Sequence, residues 1–170
     1  MMTSLISPKN ESRNSVLFLV LILFFSSFSQ IKAQKSLSLE EFINQEGENN
    51  TVFIKNLVFE NIPTVLLKDS KIQTLGEGFP QKVSSDISSL ELLKSENNIF
   101  RTVKILQINL GSEAEKSALK INLSELKGFS NLVYIFINSE TSLSPDEVDR
   151  MVSGYEDGDV IVLFQVNTNF

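Results

Sequence analysis

The chain has 170 residues, of which 42% are hydrophobic and 21% are charged, and its net charge is −6. This is the composition of an ordinary globular domain. The absence of cysteine excludes disulfides, thiolate nucleophiles and the lipid-modified cysteine of bacterial lipoproteins, and the absence of histidine excludes Ser-His catalysis and His-ligated metals. The sequence therefore predicts no cofactor and no metal, and it favours binding over catalysis.

The N-terminal segment, from Met1 to Ala33, has the pattern of an export signal. Two basic residues precede the apolar run 16–25, and Ala33 supplies the small residue that signal peptidase needs before the cut. This run is shorter than the ~20 residues that span a bilayer, and an uncleaved anchor is the alternative. We therefore predict that residues 1–33 are a signal peptide and that residues 34–170 form a single exported domain.

The predicted mature chain is more acidic than the whole chain, because cleavage removes more basic than acidic residues. An acidic chain is poorly suited to nucleic acid, whose phosphates bind basic side chains. We also expect no stable membrane span after cleavage. The predicted location is the periplasm, the cell surface or the medium, and the protein is not expected to be a lipoprotein.

Residues 36–80 have the pattern of a helix followed by β-rich sequence. Ser38 and Glu41 form a capping box at the start of a helix over residues 36–47. Runs of β-branched and aromatic residues predict strands at 52–59, 64–68 and 71–75. The glycines and the proline of residues 76–80 then mark the boundary with the second half of the chain.

From residue 85 onward, helix and strand patterns alternate. Helices are predicted at 85–97, 123–129 and 144–154, and strands at 103–110, 132–138 and 160–167. The last helix has the clearest signals, with Ser144 as N-cap, Pro145 at the first helical position and Glu147 completing a capping box. Strands joined by helix-length crossovers are expected to be parallel. The predicted fold class is α/β: a short N-terminal helix, a β-rich segment and three helix–strand units that form a parallel sheet.

The three strands of the second half repeat at positions 103, 132 and 161, a constant interval of 29 residues that we call the repeat interval. The equivalent apolar positions are Val103, Leu106 and Ile108, then Leu132, Ile135 and Ile137, then Ile161, Phe164 and Val166, followed by Asn109, Asn138 and Asn167. This pattern resembles the L-x-x-L-x-L unit of leucine-rich repeats over residues 103–170, and the resemblance implies stacked helix–strand units and a bias toward protein recognition. The family's asparagine or cysteine three positions beyond the last strand leucine is matched only by Asn169. A plain α/β domain with evenly spaced strands is the alternative.

The residues between the repeated positions form the other face of the predicted sheet. This face carries four large apolar side chains, Ile105, Tyr134, Phe136 and Leu163, together with Gln107 and Gln165. One alternative is that the strands of residues 52–75 extend the sheet or that the opening helix packs over the patch, so that both faces are buried. The other is that a partner binds the patch. If a partner binds there, we expect Tyr134 and Phe136 to be the anchors and Ile105 and Leu163 to flank them.

An acidic region and the last strand support two other interpretations. Residues 146–159 contain the densest group of carboxylates, which suits a small carboxylate- or metal-dependent hydrolase of the cell envelope, although the spacing does not match a calcium loop. Residues 160–170 alternate toward the terminal Phe170, which resembles the last strand of outer-membrane proteins and suggests an outer-membrane-associated structural protein.

The sequence therefore predicts a secreted or periplasmic, non-catalytic binding domain. Its expected partner is a protein or a component of the cell envelope. The prediction rests on the missing catalytic side chains and on an apolar, aromatic sheet face.

Overall fold

The computed structural model describes residues 35–155 and 160–167. The described residues belong to one unit that spans Gln34–Phe170. The predicted signal peptide, residues 1–33, lies outside the described residues. So do residues 156–159 of the acidic region and residues 168–170 at the end of the last strand.

The domain is built on a seven-stranded, mostly parallel sheet. The bounds of its strands are β1 Leu37–Ser38, β2 Thr64–Lys68, β3 Lys71–Leu75, β4 Lys82–Ser85, β5 Ile105–Leu110, β7 Tyr134–Ser139 and β9 Ile161–Val166. They lie in the order β1, β9, β7, β5, β4, β2, β3. All neighbours are parallel except β2 and β3. The prediction of an α/β fold with a parallel sheet is therefore confirmed.

Four α-helices and three 3-10 segments accompany the sheet in the described part of the chain. The α-helices are α1 Leu39–Gln45, α2 Glu48–Phe59, α3 Glu113–Ala118 and α4 Pro145–Met151, and the 3-10 segments are Ile87–Lys94, Asn98–Phe100 and Leu123–Glu125. A second, two-stranded sheet pairs β6 Ile121–Asn122 with β8 Val152–Ser153. None of the helices described here is long and apolar enough to cross a membrane.

The capping boxes predicted from the sequence are present at the starts of α1 and α4. At α1, the Ser38 N–H donates to the Glu41 carboxylate at 3.0 Å, and the Glu41 N–H donates to the Ser38 hydroxyl at 3.2 Å. At α4, the N–H and hydroxyl of Ser144 both donate to Glu147 at 2.9 Å. The turn between β2 and β3 places Asp69 and Ser70 at φ 52° and 57°. This left-handed pair is the geometry of a two-residue hairpin.

Three predicted elements are wrong. Residues 52–59 are not a strand but the greater part of α2, in which Ile54 and Leu57 lie three positions apart and share the buried face. Residues 85–97 and 123–129 form short 3-10 segments instead of α-helices. The strand Lys82–Ser85 is not predicted, because the sequence analysis assigns no element between the boundary at residues 76–80 and the helix expected from residue 85.

Apolar side chains are buried on both faces of the sheet. On the face nearest α1 and α2, which we call the α1/α2 face, the helix residues Leu39, Phe42, Ile54 and Leu57 pack on strand residues Ile105, Tyr134, Phe136 and Leu163. On the opposite face, the alternate strand residues, among them Leu106, Ile135 and Val162, pack against residues of the 3-10 segments and α4. This division follows from the period of two in a strand.

The strand register agrees with the repeat interval at one junction and departs from it at the next. Leu106 lies beside Ile135, as the repeat interval requires. Ile135, however, lies beside Val162 instead of Phe164, so the second interval is shorter by one full pleat. A shift of this size keeps Leu163 and Phe164 on the faces predicted for them.

A buried lysine attaches the end of α2 to the sheet. Lys82, in β4, is 9% exposed, and its ammonium donates to the Val58 carbonyl at 3.0 Å. Val58 lies in the last turn of α2, where carbonyl oxygens lack partners within the helix. Burial lowers the pKa of Lys82. The contact holds α2 in place over the sheet.

We predict that α2 contributes strongly to stability through its inward face. Replacing the fully buried Ile54 by alanine should lower the free energy of unfolding by about 2–5 kcal/mol, because it leaves a cavity between helix and sheet. The matched control is Val52→Ala, since Val52 is 51% exposed on the same helix; its effect should stay within about 0.5 kcal/mol. Urea denaturation measures both, and equal effects would contradict this position of α2.

Candidate functional site

The four site residues predicted from the sequence lie in the core of the protein. Tyr134 is 4% exposed, Phe136 2%, and Ile105 and Leu163 are fully buried. The ring of Phe42 in α1 packs edge-on against Tyr134, with centroids 5.8 Å apart. Burial, and to a smaller extent the Glu46 carboxylate, raise the pKa of the Tyr134 phenol.

This face is therefore covered by elements of the same chain and not by a binding partner. The cover consists of α1 and α2 and does not include the strand expected at 52–59. A partner has no access to Tyr134 or Phe136 in this conformation. The proposed role of the four residues as a partner surface is corrected: they hold the helices on the sheet.

Polar side chains continue the same face where the strands end. We call the five amide residues Gln107, Asn109, Asn138, Gln165 and Asn167 the amide row. All five are partly exposed. They come from β5, from β7 and from β9 with the residue that follows it. Because these strands are parallel, their carboxyl ends meet at one edge of the sheet, where open α/β sheets bind ligands.

Hydrogen bonds join the amide row into a chain across the sheet. The amide nitrogen of Asn167 donates to the Asn138 oxygen at 2.7 Å, and that of Asn138 donates to the Asn109 oxygen at 3.4 Å. Gln107 and Gln165 each donate to the asparagine that follows on the same face of the strand, at 2.8 Å. Asn109 donates in turn to the Ser84 hydroxyl in β4 at 3.0 Å. With Ser84, the chain of hydrogen bonds therefore extends over four neighbouring strands.

A groove of about 500 Å³ opens at the β9 end of the amide row. Its lining residues are Ser38, Leu39, Glu40 and Ile43 from β1 and α1, Lys55 and Phe59 from α2, and Phe164, Gln165 and Val166 from β9. Gln165 belongs both to the groove and to the amide row, so the two form one continuous surface. The volume lies in the range of small-ligand sites.

The surface combines neutral hydrogen-bonding groups with one exposed aromatic ring. The amide row contains no ionisable side chain, and the groove adds one cation, Lys55, and one anion, Glu40. Phe59 is 61% exposed at the groove. Amide side chains donate and accept hydrogen bonds but exchange no protons near neutral pH. The arrangement is therefore suited to binding, and the row itself offers no acid or base.

The carboxylates predicted as a second candidate site take part in structural contacts. Glu147 caps α4 and pairs with the Lys116 ammonium at 2.9 Å. The hydrogen bonds from Lys116 and Ser144 lower the pKa of Glu147 to about 2. Asp149 accepts from the Ser36 N–H at 2.9 Å and from the Tyr155 hydroxyl at 2.7 Å. Although burial raises the pKa of Asp149, these hydrogen bonds lower it overall.

Within residues 35–155 and 160–167, no three carboxylates come close enough together to hold a metal ion. Residues 156–159, which complete the acidic region in the sequence, lie outside the described residues. The described carboxylates of this region therefore stabilise α4 and its contact with the segment that precedes β1.

Comparisons with protein-family models, with curated proteins and with solved structures find no match to this chain.

The sequence predicts where several residues of the amide row lie, but it does not predict that they form a surface. The asparagine after each repeated strand is visible as a marker of the repeat, and Gln107 and Gln165 are placed on the correct face. Ser84 is absent from the prediction because β4 is absent from it. The groove is not predictable, since it depends on a helix at residues 48–59 where a strand is expected.

We predict that Glu147 contributes to stability only above strongly acidic pH. Its pKa is lowered in the folded state from 4.5 to about 2, so the stabilisation is complete above about 4.5 and disappears as the pH falls toward 2. Glu147→Gln should therefore flatten the loss of melting temperature between pH 5 and 2. The control Glu113→Gln removes a carboxylate that also contacts Lys116, at 3.4 Å, but does not cap α4. Identical pH profiles for wild type and Glu147→Gln would contradict the prediction.

Proposed function

We propose that this chain is a non-catalytic binding domain that acts after export and recognises a component of the cell envelope. Recognition takes place at the amide row and the adjoining groove. The sheet face predicted from the sequence serves instead as the core beneath the two helices.

The observation that carries the proposal is the amide row itself. Five amide side chains from three neighbouring strands lie partly exposed at the carboxyl edge of the sheet, where they form one hydrogen-bonded chain. Each amide nitrogen has two N–H groups, and the hydrogen bonds within the row and from Asn109 to Ser84 use one of them. The remaining donors give the edge a capacity for hydrogen bonds with a ligand.

A hydrolase receives less support from the described residues. Carboxylate catalysis needs two carboxyl groups that converge on one substrate bond. Glu147 and Asp149 are instead held by Ser144, Lys116, Ser36 and Tyr155. No described contact of the amide row brings a carboxylate into it. Binding is therefore the function that this surface supports best.

The test is retention of an envelope component by the purified protein. Solubilised envelope from the producing cells is passed over immobilised wild type, Asn138→Ala and Asn167→Ala. We expect one component to be retained by wild type and to fall at least about tenfold with each variant, because both substitutions interrupt the row. The loss should occur with little change in melting temperature, since the row is partly exposed and one such hydrogen bond contributes about 1 kcal/mol.

The matched control is Asn131→Ala. Asn131 lies before β7, at the amino end of the strands, and its amide donates to the Arg101 carbonyl. Its removal should leave retention unchanged. Equal retention of every component by wild type and by both row variants would exclude the amide row as the binding surface.

A further inference from the structure

We propose that the ligand of the amide row and groove is a neutral oligosaccharide chain. This inference rests on the proposed binding function and adds the chemical class of the ligand. It is supported by the hydrogen-bonding character of the amide row, the position of one aromatic ring and the balance of charge in the groove.

The amide row offers both hydrogen-bond donors and hydrogen-bond acceptors. The described hydrogen bonds within the row and from Asn109 to Ser84 use one N–H of each amide, while the oxygens of Gln107 and Gln165 accept none of these bonds. A sugar hydroxyl both donates and accepts, so it can use an amide N–H and an amide oxygen at once. A ligand that only accepts, such as a phosphate, could not use the oxygens of Gln107 and Gln165.

The groove provides an apolar surface beside the amide row. Phe59 is 61% exposed, although it belongs to a helix whose Ile54 and Leu57 are buried, and it lines the groove together with Leu39 and Ile43. A sugar ring has an apolar face of C–H groups and an equatorial belt of hydroxyls. Packing of that face on Phe59 would place the hydroxyls toward Gln165, which lies in both the groove and the row.

The charge of the groove also favours a neutral ligand. Lys55 and Glu40 are its ionisable side chains, and their charges are opposite. A strongly charged ligand would gain attraction from one and repulsion from the other, while the amide row adds no net charge. The surrounding chain carries a net charge of −6, which further disfavours an anion.

A peptide is the other macromolecular ligand with both donors and acceptors. An extended peptide is usually bound by adding a strand to an open sheet edge. The strand best suited to this is β3, whose five residues are all exposed, but it lies at the edge of the sheet opposite β1 and β9. At the groove, the edge strand β1 has two residues, Leu37–Ser38. The surface beside Phe59 is built from side chains, which suits a saccharide better.

The test is calorimetric titration of the purified protein with neutral hexasaccharides of glucose in α-1,4 and β-1,4 linkage and of N-acetylglucosamine, each to about 1 mM. We expect at least one to bind. Phe59→Ala and Gln165→Leu should each weaken that binding at least about tenfold. The matched control is Phe79→Ala, because Phe79 is 81% exposed but does not line the groove, and its affinity should equal that of wild type.

Two outcomes would overturn the proposal. One is that none of the hexasaccharides binds at this concentration. The other is that binding is unaffected by Phe59→Ala while the variant retains the wild-type melting temperature. If saccharides fail but an envelope component is still retained through Asn138, the binding function stands and only the ligand class is wrong. If retention also fails, both proposals fall.

A free polysaccharide and a glycan attached to a protein share this chemistry. They are distinguished by treating the retained envelope component before the binding step. Periodate, which cleaves the vicinal diols of 1,4-linked glucose, should abolish retention of such a chain in either case. For a 1,4-linked N-acetylglucosamine chain, whose internal residues have no vicinal diol, digestion with chitinase takes the place of periodate. Proteinase should abolish it only for a glycoprotein. Retention that survives both periodate and chitinase but not proteinase would identify a peptide ligand and contradict the saccharide.

Discussion

Burial of the central strands on both faces is the constraint on which the rest of the structure depends. In β7, the residues Tyr134–Ile137 are all buried, alternately beneath α1 and α2 and beneath the elements of the opposite face. Such a strand tolerates polar side chains only where the cover ends. On the α1/α2 face the cover ends before Asn138, and the neighbouring strands change from apolar to amide side chains near the same level. The location of the amide row is therefore a consequence of how far the two helices reach across the sheet.

The same constraint explains which parts of the fold were predictable. The strands β5, β7 and β9 are nearly continuous apolar runs, and the caps of α1 and α4 are local patterns that need no tertiary context. Residues 52–59 are different, because valine, isoleucine and phenylalanine favour a strand locally. Burial of Ile54 and Leu57 against the sheet overrides that preference. The error arose because local preference is weaker than the burial of one amphipathic face.

The candidate site was also predictable in one part and not in another. Alternation along the strands correctly assigned Ile105, Tyr134 and Phe136 to a common face, but it could not show whether that face meets solvent or helices. Once residues 48–59 are a helix, the face acquires a cover, and the groove appears between that cover and β9. The surface proposed for binding is therefore displaced from the middle of the sheet to its carboxyl edge. The sequence predicts the polar residues of this surface, but it does not predict that helix α2 lines the groove beside them.

The shorter interval between β7 and β9 determines which residue of β9 lies in the groove. If the repeat interval held at this junction, Gln165 would lie beside Phe136, which is buried beneath the helices. In the observed register Leu163 takes that place, and Gln165 lies beside Asn138 at the edge of the cover. The shift carries Asn167 one pleat further, where its amide still reaches the Asn138 oxygen at 2.7 Å. Because strand side chains alternate, one full pleat is the smallest shift that keeps an apolar residue on the core face. A departure from strict repetition thus places an amide in the groove and leaves the core intact.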